Sequence, residues 1–227
     1  MSYRYETHCH TREASRCGRA SGAEEVRFYR SMGFDGIIIT DHFLGGNTTA
    51  PAQLGWKRKI EILCSGYRNA LEEGQKFGLK VFFGWEFAHQ GCDFLTYGLS
   101  PEWLLENEDL DKVPINEYLR YVRAEGALVI HAHPFREAMY IPAIQLFPRL
   151  VDGVEIINSN RTDFENERAA EYARAYGLPV FAGGDNHSAD KQKRLSGLET
   201  ERPLEDIGDF IRCFRAGEYR LFDTREE

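Results

Sequence analysis

The sequence predicts an α/β fold in which parallel strands close, or nearly close, into a barrel. Three observations predict it. Short apolar, β-branched runs alternate with longer stretches of helical spacing, the pattern of successive β-α-β units. Seven such runs follow one another with no Pro/Ser/Gly-rich linker, low-complexity tract or internal repeat. Six of the seven histidines fall at or just past the end of one of those runs. An open, doubly wound sheet is the alternative for the first two observations. At 227 residues the chain reads as one domain over positions 1–227.

In order, the predicted strands are 2–7, 36–40, 80–85, 94–98, 127–131, 153–158 and 179–183. The runs IIIT, VFF, LVI and VEII are apolar enough for burial on both faces. The first helix follows Ser21, a cap with acidic residues in the next turn and apolar spacing through Val26, Tyr29 and Met32. Further helices are read at 60–78, 115–126 and 165–177, each ending near a glycine, and a last one at 204–215. The longest polar loop spans 43–53.

Composition narrows the function. No apolar run reaches the roughly 18 residues of a membrane span. Five scattered cysteines without a CxxC pair argue against a disulfide framework or a thiolate zinc finger, and for a reducing, cytoplasmic setting. A net charge of −8 without a basic stripe disfavours duplex nucleic acid.

The polar residues at strand ends carry the chemistry. His8 and His10 follow the first strand, Asp41 and His42 the second, and Glu86 the third, with His89 in the turn beyond it. Asp93 stands at the entry to the fourth strand, His131 and His133 close the fifth, and Asp185 and His187 follow the seventh. In a parallel barrel these ends converge on one face, and imidazole with carboxylate suits Zn, Mn or Fe. A lone histidine after a strand is usually a surface or capping residue, but five separate sites at one topological position point to a metal centre. Residues i and i+2 of an extended segment point the same way, so His8 with His10, and Asp185 with His187, can reach one ion or two adjacent ones. Pro134 restrains the backbone after His133 and favours it as a ligand, with His131 a deeper core or supporting histidine.

HCH, ITDH, GWE, HAHP and GGDNH, in that order, resemble the PHP (polymerase and histidinol phosphatase) family of metal-dependent phosphoesterases, over roughly residues 3–188. The resemblance implies a distorted (β/α)7 barrel, TIM-like, with two or three divalent ions. By it, His8, His10, Glu86 and Asp185 hold one ion, Glu86 bridges to a second held by His133, and His42 and His187 hold a third. Asp93 stands where many members carry a histidine and is expected to be an oxygen ligand. Where members often have Asp or His, this chain has Ser15 and Arg16. Glu13 is the nearest carboxylate, either a replacement ligand or a loop charge. No polymerase accompanies the domain, so the stand-alone phosphoesterase branch is expected.

The expected reaction is hydrolysis of a small phosphate ester by a hydroxide bridging two ions. Asp185 or Asp41 would assist proton movement, or Asp41 would orient His8 or His10. Arg136, three residues past His133, is the expected phosphate fork, with Arg16 and Arg161 on neighbouring loops and Asn158 for substrate hydroxyls. Three other readings stand beside this one. An amidohydrolase also opens with HxH, but no lysine stands at a strand exit here. A metal-binding module without turnover and an oligonucleotide-trimming nuclease complete the set.

Overall fold

Strand β1 (Tyr3–Cys9) starts a computed structural model that describes residues 2–225. It is followed by α1 (Gly22–Ser31), β2 (Gly36–Ile39), α2 (Trp56–Leu63), α3 (Ser65–Phe77), β3 (Lys80–His89) and β4 (Cys92–Tyr97). Then come α4 (Pro101–Glu106), α5 (Ile115–Ala124), β5 (Leu128–Ala132), β6 (Gly153–Asn158), α6 (Asp163–Tyr176) and β7 (Val180–Gly183). The chain ends with β8 (Ser196–Thr200), α7 (Ile207–Ala216) and β9 (Arg220–Asp223). The sheet order is β7-β6-β5-β4-β3-β2-β1-β8-β9. The segment after β7 docks in parallel on the end of β1, with His10 N–H donating to the Asn186 carbonyl at 2.8 Å and Asn186 N–H to that of His8 at 3.1 Å. The barrel is therefore nearly closed.

The sheet is mixed, not wholly parallel. Strand β4 is antiparallel to both β3 and β5. It joins β3 through a tight turn in which Gln90 and Gly91 both take positive φ, 49° and 90°, as a type I′ hairpin requires. No helix separates these strands. A reversed β4 enters at the end where its parallel neighbours exit, and this puts Asp93 at the same mouth as the histidines.

The helix signals are realised closely. Ser21 and Glu24 form a capping box on α1, and Thr162 and Glu165 form one on α6. The helix predicted at 60–78 is two helices broken at Cys64. Its second part opens on Gly66, where an added Cβ would lie 1.9 Å from Thr11 Oγ1 and 2.7 Å from Asp41 Oδ2. The start of α3 thus presses directly on the floor of the site.

Two strands went unread, β8 and β9. The helix between them, α7, packs Phe210 and Phe214 against Tyr97 and Phe181, at the barrel end opposite the mouth. Helices α1 and α3 cover the β1–β2–β3 side through Val26, Tyr29, Ala70 and Leu79.

Candidate metal centre

Five strand ends, those of β1, β2, β3, β5 and β7, deliver one buried cluster, with Asp93 of β4 and Glu155 of β6 beside it. His8, His10 and Asp185 bring ligand atoms within 4.8 Å of one another, and so do His8, Glu86 and His133, and His10, His42 and His187. His8 Nε2 is 3.1 Å from His10 Nε2, 3.4 Å from Glu86 Oε1 and 3.5 Å from Asp185 Oδ1. His133 Nε2 is 3.2 Å from Glu86 Oε1, and His42 Nδ1 is 2.7 Å from Glu86 Oε2.

The backbone makes room for this. At the end of β7, an added Cβ on Gly183 would stand 2.6 Å from His8 Cβ, and one on Gly184 would stand 2.2 Å from Glu6 Oε2. The paired glycines let the Asp185 segment lie against β1. His133 and Asp185 both take positive φ, 26° and 51°, a strain that clusters at functional sites. The His133 N–H is held by Glu155 Oε2 at 2.9 Å.

Buried supports set the ring orientations. Glu155, wholly buried on β6, accepts from His8 Nδ1 at 2.9 Å, so His8 turns its Nε2 into the cluster, a lone pair once the ring is neutral. Ser15 Oγ donates to Asp41 Oδ1 at 2.6 Å and so stands as acceptor 3.3 Å from His10 Nδ1, which leaves the His10 Nε2 lone pair facing the same space. These protonation assignments follow from the hydrogen-bond network. In metal-free protein a proton on His8 Nε2 bridges the 3.1 Å to His10 Nε2; once it leaves, the two lone pairs repel unless another cation takes its place. His42 Nδ1 and Glu86 Oε2, though close, are both buried outside hydrogen-bond geometry. The donor set fits divalent metal ions.

Electrostatics agree. Burial would raise the Asp185 carboxyl, but the His8 and His187 cations hold it well below its ordinary value, and Glu86 is held low likewise by His42 and His133. Burial opposes the His8 cation, and Glu155 and Asp185 outweigh it, so His8 lies well above 6.5. His10 is pushed down to about 3 by burial and by the cations of His187 and His42, which suits a neutral ligand. Asp41 is raised to about 6 by burial despite three donor contacts from Thr11 and Ser15.

The other predicted residues divide clearly. Asp93 is buried at the mouth, but its Oδ2 pairs with Arg136 at 2.9 Å and lies 4.0 Å from His133 Nδ1, so its first partner is a guanidinium. Glu13 is not in the cluster: both its oxygens sit 3.3 Å from the Gly22 N–H at the start of α1. Arg16 is exposed, and its backbone N–H bonds the Asn47 carbonyl. Arg161 lies in the turn before α6, beside Glu165. Asn158 is buried with its amide spent on Glu155 Oε2 and its oxygen on the Asn160 N–H, so it braces Glu155 and offers nothing to a substrate. Asp41 is likewise enclosed by Thr11 and Ser15, an arrangement that suits the second of its two expected roles, orienting His10 through Ser15. His131 is a core histidine stacked 4.9 Å from Phe94 and lowered to about 3 by burial, and His89 lies half-buried beside the hairpin turn.

Sequence reasoning missed Glu155, Ser15 and Cys17. A glutamate inside the apolar run VEII was the available signal for Glu155. Nothing marked Cys17, whose Sγ lies 3.2 Å from His42 Nε2.

A two-domain protein from Bacteroides vulgatus, titled as containing a predicted PHP-like metal-dependent phosphoesterase, has the same fold, with TM-score 0.75 and 13% identity over 98% of this chain. The fold is the PHP fold. This chain spans 65% of that protein's length. A putative metal-dependent phosphoesterase from Bifidobacterium adolescentis aligns over 92% of this chain and 96% of its own, with TM-score 0.58 and 18% identity. PsfC from Pseudomonas syringae aligns over 92% and 88%, with TM-score 0.62 and 17% identity. The PHP_C family profile, described as PHP-associated, matches residues 163–191, the segment that holds α6, Asp185 and His187. No curated protein matches.

Proposed function

We propose that this PHP domain is a metal-dependent phosphoesterase acting on a small phosphate ester. One observation carries the reading: buried imidazole nitrogens and carboxylate oxygens from five strand ends face one space, with a guanidinium at its edge. His8, His10, Glu86 and Asp185 would hold one ion, Glu86 and His133 a second, and His42 and His187 a third. Divalent ions there supply charge neutralisation on phosphoryl oxygens and a water acidic enough to attack phosphorus near neutral pH. Arg136 provides the anion fork. Asp93 anchors one end of its guanidinium, and its Nε is buried without a partner, so donors remain for a phosphate oxygen. The exposed Tyr140 ring lies 5.9 Å from the same guanidinium and would border the leaving group. Glu155, Ser15 and Asp41 hold the ligand rings in register.

Protein purified without added metal should carry divalent ions, and it should hydrolyse an aryl phosphate once loaded with Mn²⁺, Zn²⁺ or Fe²⁺. His8→Ala and Asp185→Ala should lose both metal and turnover. Unchanged metal content in both variants would contradict the ligand set, and a metal-loaded protein inert to every phosphoester offered would contradict the activity.

A further inference from the structure

The loop between β1 and α1 is tied at two points to the segments that carry His42 and His187. Arg16 N–H donates to the Asn47 carbonyl at 2.9 Å, and Arg19 N–H donates to the His187 carbonyl at 2.6 Å. Ser15 and Thr48 form a β-bridge beside the first tie. Cys17 lies between these ties, so its backbone is anchored on both sides. Its Sγ is 3.2 Å from His42 Nε2, on the side of the mouth where His10, His42 and His187 bring ligand atoms within 4.8 Å of one another. Both rings turn nitrogens to this side, and His187 has a hydrogen bond that fixes which one. His187 donates its Nδ1–H to the Asp185 carbonyl at 2.6 Å, so in the neutral ring Nε2 carries the lone pair. His42 turns Nδ1 toward Glu86 Oε2 and Nε2 toward the sulfur. The His10 ring stacks on both, 4.5 Å from His42 and 4.4 Å from His187, and closes the inner side. Glu13, the carboxylate that sequence reasoning offered for this position, is turned away to α1.

We infer that Cys17 is a thiolate ligand of the third metal position, which it forms with His42 and His187. The inference rests on the metal-centre reading above. Two imidazoles and one thiolate leave an open fourth direction, the arrangement of a zinc site that admits water or substrate. Sulfur also sorts the ions. Thiolate favours Zn²⁺ or Co²⁺ over Mn²⁺ and Mg²⁺, whereas the carboxylate-rich positions around Glu86 and Asp185 accept the harder ions. The third position is then selective for softer metals, and its occupation releases the thiol proton to solvent.

The test uses the full chain reconstituted with Co²⁺. A sulfur-to-cobalt charge-transfer band in the near ultraviolet is expected. It should vanish in Cys17→Ser and His187→Ala and persist in His133→Ala. A second readout needs no variant. Of the five cysteines, only Cys17 is not fully buried, so iodoacetamide followed by peptide mapping should label it in chelator-treated protein and spare it after zinc loading. If metal binds but the band is absent, and Cys17 is alkylated equally with and without zinc, the thiolate assignment is overturned and the hydrolase reading stands. If the wild type binds no metal, both fall. If the band appears and no phosphoester is cleaved, the ligand assignment holds and the proposed activity falls.

Discussion

Replacing Glu155 with glutamine changes one buried oxygen to an amide and should weaken two metal positions at once. Glu155 accepts three hydrogen bonds: His8 Nδ1 on Oε1, and the His133 N–H and Asn158 Nδ2 on Oε2, each at 2.9 Å. A glutamine has one accepting oxygen. Placed toward His133 and Asn158, it satisfies two donors and turns its NH₂ toward His8. His8 must then accept at Nδ1 and carry its proton on Nε2, the nitrogen that faces Glu86 and Asp185. The opposite placement sets the amide hydrogens against two donors and is costlier. Either way a ligand is misdirected. Outer partners of this kind are worth about 10–100-fold in metal affinity, or about 1.4–2.7 kcal/mol.

The measurement is a competitive titration against a chromophoric chelator at neutral pH, with circular dichroism and metal-free melting as controls on folding. The difference should shrink as pH falls. In the wild type burial opposes the His8 cation, but Glu155 and Asp185 keep it well above 6.5, so metal must expel a proton there as pH falls, and the variant, without the Glu155 charge, faces less of that competition. A folded Glu155→Gln protein that binds both ions as tightly as wild type would refute the orienting role.

Ser15→Ala removes the link between Asp41 and His10, so metal affinity should drop about 10-fold and the melting curve should show about 1–3 kcal/mol lost from an under-satisfied buried carboxylate. Arg136→Lys keeps charge beside Asp93 but loses the fork, so kcat/KM on an aryl phosphate should fall about 10–100-fold with metal content unchanged; equal activity would remove Arg136 from the site. Glu25, buried under Asn186 and the Ala189 N–H, is raised to about 8, chiefly by burial. Native protein therefore holds a proton that unfolded chain gives up, and stability should decline as pH rises from about 4.5 to about 8, by up to about 1.4 kcal/mol per pH unit. Urea titrations of Glu25→Gln should lack that slope.

The residues that point into the mouth were legible because strand ends in a barrel are fixed by topology. His8, His42, Glu86, His133 and Asp185 each follow an apolar run that had to be a strand. What escaped reading depended on tertiary approach. The reversal of β4 is set by a two-residue turn, Gln90–Gly91, that carries no Asn-Gly signal. Strands β8 and β9 are short, and their partners lie far off in sequence, on β1 and on each other. Glu155 reads as an oddity in an apolar strand until the barrel brings His8 to its side. Glu13 was the nearest carboxylate in sequence, but the loop turns it to the start of α1 and brings Cys17 to the histidines instead.

The mouth holds more negative charge than it can bear alone. Glu86, Asp93, Glu155 and Asp185 are all at most 4% exposed, and Arg136 is the one guanidinium among the described residues paired to any of them. In metal-free protein, protonated His8 and His42 must make up the balance, and both lie well above 6.5. Their contribution is present at acid pH and is lost as pH rises through their folded values. The carboxyls of Glu86 and Asp185, held low, contribute above their unfolded values and fail in acid. Divalent ions replace the histidine protons, so metal should stabilise the fold increasingly as pH rises. Two ions, each at about 100 times its Kd, would add about 5 kcal/mol, which for a chain of 227 residues is about 10–20 °C in Tm. Differential scanning calorimetry with and without chelator, at two pH values, measures it. A Tm gap that closes toward alkaline pH would mean that the buried charge is balanced by something other than bound cations.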